Sequence, residues 1–119
     1  MLHIKAENNI IYTTSYQKLT EEDYQELIPK AEKMLEQYKT IRWYFEMQDF
    51  KGWEMKAFWE DVKFEFRHAN DIEKLAVVGD TEWEKWMTTM MKPFTKAEVK
   101  YFDLKDKEIA LEWIKSDGV

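Results

Sequence analysis

Asp49, Asp80 and Asp103 each stand at or just past the end of a stretch that reads as a β-strand. Brought to the carboxyl edge of one parallel sheet, where open α/β folds bind ligands, three such carboxylates could hold Mg²⁺. Aspartate at a strand-to-helix junction usually caps the helix or forms the turn, and that plainer role is expected of all three. The other chemistry-bearing residues do not assemble. His3 and His68 are far apart and in no metal-ligand motif. Ser15 and Ser116 lack a nucleophile-elbow context, and Gly52, Gly79 and Gly118 form no phosphate-cradling loop. The chain has 0 cysteines, which excludes a disulfide scaffold, a thiolate metal site and a Cys nucleophile. No catalytic residue, no metal site, no cofactor and no enzyme are therefore expected.

The unusual side chains are apolar. Aromatic residues make up 16% of the chain, with 6 Trp, 6 Tyr and 7 Phe beside 7 Met, so few but large groups must build the core. Trp83, Trp86, Met87, Met90, Met91 and Phe94 recur at i, i+3, i+4, i+7, i+8 and i+11, the face of a helix. Such a stripe is first of all a core face. It contains no Leu, Ile or Val, however, and Met with Trp suits adaptable packing around an apolar guest. Upstream, Met55, Phe58, Trp59, Val62 and Phe66 form one helical stripe, while Trp53, Ala57 and Phe64 fall opposite. The outer set either tucks under neighbouring loops or forms a ligand, partner or membrane surface; Trp53 and Phe64 would then lie about 16 Å apart. The candidate ligand-binding set is Trp53, Phe58, Trp59, Trp83, Trp86, Met87, Met90, Met91 and Phe94.

Charge narrows the partners. Lys plus Arg is 18 and Asp plus Glu is 24, giving −6 with no basic tract, so phosphate neutralisation and nucleic-acid binding are not expected. The net charge also argues against electrostatic recruitment to anionic lipid, leaving transient hydrophobic contact as the membrane alternative. No apolar run is long enough to span a bilayer, and Met1 to Lys5 opens no signal peptide. A cytoplasmic protein, at most peripheral at the inner membrane, is the expectation.

The elements that must position these residues can be read from the pattern. With 3 Gly and 2 Pro in 119 residues, no linker can be drawn, and residues 1–119 read as a single domain. Leu2, Ile4 and Ala6 alternate, Asn8-Asn9 makes a turn, and Ile10 to Thr14 is β-branched: two short strands. Thr20 with Asp23 can cap a helix, Leu19 can staple to Tyr24, and Tyr24, Leu27, Ile28, Ala31, Leu35 and Tyr38 follow its period. Pro29 inside it predicts a kink or a two-piece helix. Ile41 to Met47 reads as a third strand and Gly52 to His68 as a second helix. Leu75 to Val78 is an uninterrupted apolar run, the mark of an interior strand covered on both faces. Thr81 to Met91 is a third helix, Glu98 to Phe102 a last strand and Lys105 to Lys115 a last helix. The expected fold is α/β, a mixed, mostly parallel five-stranded sheet with four helices in the order ββαβαβαβα.

Several stretches then carry a resemblance: Leu19 to Tyr24, Phe50-Lys51-Gly52-Trp53 leading to Ala57 to Asp61, Leu75 to Asp80 with Trp83, Ala97 to Asp103, and Ala110 to Trp113. In this order and spacing the chain resembles the bacterial SpoIIAA-like group of the STAS-related fold, a fold also compared with the lipid-binding lobe of CRAL-TRIO proteins. The resemblance covers nearly the whole chain and implies a small mixed sheet packed with helices and no assigned catalysis. Anti-sigma-factor antagonists of that fold carry a phosphorylatable Ser at the start of the helix after the third strand. The matching segment here, Asp49 to Glu54, has no hydroxyl, so a phosphorelay does not carry over. Two functions remain: a non-enzymatic module binding a hydrophobic small molecule or lipid between its aromatic helices and the sheet, or a STAS-type interaction and signalling module, as a homodimer or with another protein.

Overall fold

Alternating and β-branched residues at the start of the chain fold as an antiparallel hairpin. Strand β1 (Leu2–Glu7) pairs with β2 (Ile10–Leu19) across a two-residue turn. Asn8 takes a φ of 53° there, a region that asparagine enters more readily than most side chains. The computed structural model describes residues 2–53, 71–79 and 98–116, with the backbone alone at 17–19 and 49–53.

Helix α1 (Glu21–Tyr38) starts as its sequence requires. The Thr20 hydroxyl accepts from the Asp23 amide at 3.2 Å, and the Asp23 carboxylate accepts from the Thr20 amide at 2.9 Å. This capping box satisfies two donors that a helix start leaves open. Tyr24, Leu27, Ala31 and Met34 are buried along one stripe. Pro29 does not divide the helix, contrary to the two-piece expectation: the 18 residues run on without a break. Both Pro29 and Gln25, whose carbonyl loses its donor, are exposed, so water can take over that hydrogen bond. The helix ends at Lys39, whose backbone sits at φ 69°, ψ −41° while its amide closes on the Leu35 carbonyl at 2.9 Å.

Strand β3 (Ile41–Trp53), β4 (Ile72–Gly79) and β5 (Glu98–Asp103) extend the sheet in the order β1-β2-β3-β4-β5. All pairings after the hairpin are parallel, so the sheet is mixed and mostly parallel as expected. The apolar run Leu75 to Val78 lies in β4, between β3 and β5, and every residue of it is buried. A single 3-10 turn (Leu104–Asp106) then leads into helix α2 (Lys107–Lys115). Helix α1 covers one face through Ile11, Trp43, Phe45, Leu75 and Val77; α2 joins Ile10, Tyr44, Ala76 and Val78 on the other through Ala110 and Ile114.

Three expectations need correction. Among the described residues there are two α-helices, not four, and the order ββαβαβαβα is not matched; the expected central helices fall largely in 54–70 and 80–97, outside the described residues. Gly52 and Trp53 do not open a helix. They end β3, with Lys18 opposite Gly52 and Leu19 opposite Trp53, because pairing with β2 resumes after a register shift between Tyr16 and Lys18. Continued ladder bonds satisfy this backbone, which leaves no reason to nucleate a helix there. Asp49 accordingly lies within β3 rather than beyond its end.

Candidate functional site

Period-2 alternation puts Tyr12 of β2, Arg42, Tyr44, Glu46 and Gln48 of β3, and Lys74 of β4 on the α2-bearing face. Tyr12 stands opposite Tyr44, and Arg42 opposite Lys74. Arg42, Glu46 and Lys74 are each buried, at 7%, 5% and 5% exposure, which ionisable groups rarely are without specific partners.

At the amino-terminal end of the strands, the two cations meet the end of α2. One Arg42 guanidinium nitrogen donates to the Ile114 carbonyl at 3.0 Å and to the Ser116 carbonyl at 2.7 Å. The other donates to Glu73 at 3.1 Å. Lys74 Nζ donates to the carbonyls of Trp113 and Ser116 at 3.2 and 2.7 Å and to the Ser116 hydroxyl at 3.1 Å. It also lies 4.9 Å from the centre of the Trp113 ring, with Lys100 Nζ at 5.0 Å. A helix C-terminus carries unpaired carbonyls and partial negative charge, so two buried cations are compensated there.

Two residues further along β3 the chemistry reverses sign. The Tyr44 hydroxyl donates to Glu46 Oε1 at 2.6 Å, and the Gln48 amide donates to Glu46 Oε2. The Tyr12 ring lies 5.9 Å from that of Tyr44 at 52°, and its hydroxyl is buried without a hydrogen-bond partner. Burial holds the Tyr44 phenol well above its ordinary range, reinforced by its bond to Glu46 and by the charges of Glu46 and Glu108. Burial also raises Tyr12, with the Glu7 charge adding to it. Both phenols are therefore neutral donors at physiological pH. A carboxylate flanked by neutral donors can bind or orient a cationic group.

Of the predicted ligand-binding residues, Trp53 is the last residue of β3, where its backbone is placed. Phe58, Trp59, Trp83, Trp86, Met87, Met90, Met91 and Phe94 lie outside the described residues. Asp80 lies outside them as well, and Asp103 closes β5 opposite Gly79. The described strands lie in sequential order, β1-β2-β3-β4-β5. No group of three metal-ligating side chains occurs among the described residues. Sequence reasoning passed over Tyr12, Tyr44, Glu46 and Gln48. A signal was there: Glu46 inside an apolar run, two residues from a tyrosine and two from a glutamine, puts three polar groups on one strand face.

The SpoIIAA-like family model matches residues 10–115. The chain belongs to the SpoIIAA-like family. Among solved structures it is similar to an uncharacterised protein of the DUF3478 family from Shewanella loihica PV-4, which has a SpoIIAA-like fold. The two share 29% identity over 96% of this chain and 92% of that one, with a TM-score of 0.78. No curated protein matches. For this SpoIIAA-like chain, then, family and sheet agree with the sequence resemblance, while the likeness to the CRAL-TRIO lobe gains no support from these matches.

Proposed function

We propose that this chain is a non-enzymatic interaction and signalling module of the STAS type that works without a phosphorylatable serine. The observation that carries the reading is the SpoIIAA-like match across residues 10–115, together with a mixed sheet of the expected connectivity in β1 to β3. Two features support it. The polar side chains of the described sheet face form no nucleophile–base pair, and residues 49–54, where relatives in the wider fold carry the switch serine, offer no hydroxyl. The hydrophobic-ligand reading depends on side chains in 53–59 and 83–94 and draws nothing from the described ones. No described helix is long and apolar enough to cross a membrane.

Light scattering coupled to size exclusion, followed by native mass spectrometry of the freshly purified chain, tests the reading. A ligand-free complex, of two copies or with a second protein that can be reconstituted from pure components, is the expected result. A monomer carrying one equivalent of acyl lipid would overturn it.

A further inference from the structure

We propose that the outer edge of β1 is a homodimer interface: two copies of this chain pair β1 antiparallel to β1 about a twofold axis at Ile4 and join their sheets into one. This rests on the interaction reading and names its partner and its surface.

β1 ends the sheet, with β2 on one side and no described strand on the other. His3, Lys5, Ala6 and Glu7 are exposed, as an uncovered edge requires. The phase of its backbone follows from the hairpin. The Asn9 carbonyl accepts from the Arg42 amide of β3 at 2.8 Å, so the next residue, Ile10, turns its backbone groups the other way, to β1. Ile10 and its partner Glu7 therefore share ladder bonds, as do Tyr12 with Lys5 and Thr14 with His3. The alternate residues Leu2, Ile4 and Ala6 then direct their N–H and C=O groups outward, where no described strand meets them. Protein edges are usually blunted by proline, by a bulge or by a covering segment. β1 has neither proline nor glycine, and its register with β2 runs unbroken from Leu2 to Glu7.

The pattern selects the partner. An added strand must set its own outward-facing groups against Leu2, Ile4 and Ala6, and a second β1 carries the same groups at the same spacing. A twofold axis normal to the sheet keeps the faces matched, Leu2 and Ile4 staying on the side of α1. An axis at Lys5 would put two ammonium groups directly opposite each other, which like charges disfavour. An axis at Ala6 would put Ile4 opposite Asn8, a turn residue at φ 53°, and most of the ladder would be lost. An axis at Ile4 pairs Leu2 with Ala6 of the second copy and Ile4 with its own copy, which uses every outward N–H and C=O of the strand. Two half-buried Ile4 side chains then meet across the axis and continue the apolar layer beneath α1. Lys5 faces His3 of the second copy rather than another lysine. Joining β1 to β5, the other edge, would be heterologous and would propagate into a filament, whereas like with like closes after two copies.

The test combines sedimentation equilibrium of the full chain over a concentration series, amide-resolved hydrogen exchange and oxidation of single-cysteine variants. A short ladder makes a small interface, so a reversible monomer–dimer equilibrium is expected. Exchange at the Ile4 and Ala6 amides should slow as the dimer forms, while the Lys5 and Glu7 amides, already bonded to β2, stay constant. Ala6→Pro removes one outward N–H per copy and leaves the β2 ladder intact; it should weaken the dimer about tenfold or more with an unchanged circular dichroism spectrum. The chain has 0 cysteines, so Ile4→Cys places a lone thiol beside its own copy, at a Cα separation of about 5.5 Å that a disulfide can span. It should crosslink on mild oxidation. Ala6→Cys, on a more exposed residue but about 14 Å from its copy, should crosslink at least tenfold more slowly. A dimer unaffected by Ala6→Pro, or one in which Ala6→Cys crosslinks as fast as Ile4→Cys, would overturn the proposal and leave the interaction reading standing. A ligand-free chain that stays monomeric at millimolar concentration would overturn it too, leaving that reading to a second protein; a monomer carrying acyl lipid would overturn both.

Discussion

Arg42 and Lys74 hold the same helix end, yet their removal should not cost the same. Arg42→Met keeps an unbranched side chain of similar reach and deletes the guanidinium. Among the described residues, the Ile114 carbonyl has Arg42 as its hydrogen-bond donor, while the Ser116 carbonyl is shared with Lys74. Two charge-assisted bonds at roughly 1.5–3 kcal/mol each are lost, and one buried acceptor is left open. The Glu73 pair, with a half-exposed carboxylate, adds little. Relief of one buried cation offsets part of the sum, so the net loss should be about 3 kcal/mol. In Lys74→Met the two described carbonyl acceptors each keep a donor: the Trp113 carbonyl retains the Ser116 amide and hydroxyl, and the Ser116 carbonyl retains Arg42. That change should cost about 1 kcal/mol or less. Urea unfolding measures both, the midpoint moving while the slope stays constant. Because the two cations share the Ser116 carbonyl, the double variant should lose more than the sum of its parts. Equal losses from the two single variants, or a larger one from Lys74→Met, would refute the idea that the Ile114 carbonyl, served among the described residues by Arg42, sets the difference.

Tyr44 gives a pH dependence. Its folded pKa lies above the unfolded value of about 10, so its contribution is complete below pH 10 and is lost as pH rises beyond it. Equilibrium unfolding followed from pH 8 to 11 should show a decline above 10 that is weaker in Tyr44→Phe, and a phenol titrating as freely as in the unfolded chain would contradict this. Thr20→Ala removes one half of the capping box and should cost about 1 kcal/mol in urea, with Thr20→Ser retaining most of it. Lys39 sits near the strained γ-turn region at positive φ, so Lys39→Gly should stabilise by about 1 kcal/mol; a lower melting temperature would mean that its side chain contributes more than its backbone costs.

Local patterns alone determined much of this protein. The capping box at Thr20, the hairpin turn at Asn8-Asn9 and the interior character of Leu75 to Val78 each follow from a few adjacent residues whose preference no distant contact opposes. The family resemblance was legible for the same reason, since it rests on short motifs in fixed order. Tertiary structure decided the rest. Gly52 and Trp53 ended in a strand because β2 was there to pair with them, and a ladder bond to a segment more than thirty residues away leaves no local trace. Pro29 stayed within one helix because its face is turned to water, which the period of the stripe implied but the proline rule overrode. Arg42, Glu46 and Lys74 looked like ordinary surface charges in one dimension. Only the docking of α2 brought a carbonyl-bearing helix end over two of them, and only the folded sheet face buried the third beneath the Tyr44 hydroxyl and the Gln48 amide. Charge compensation and strand register act across space, and a sequence read along its length records neither.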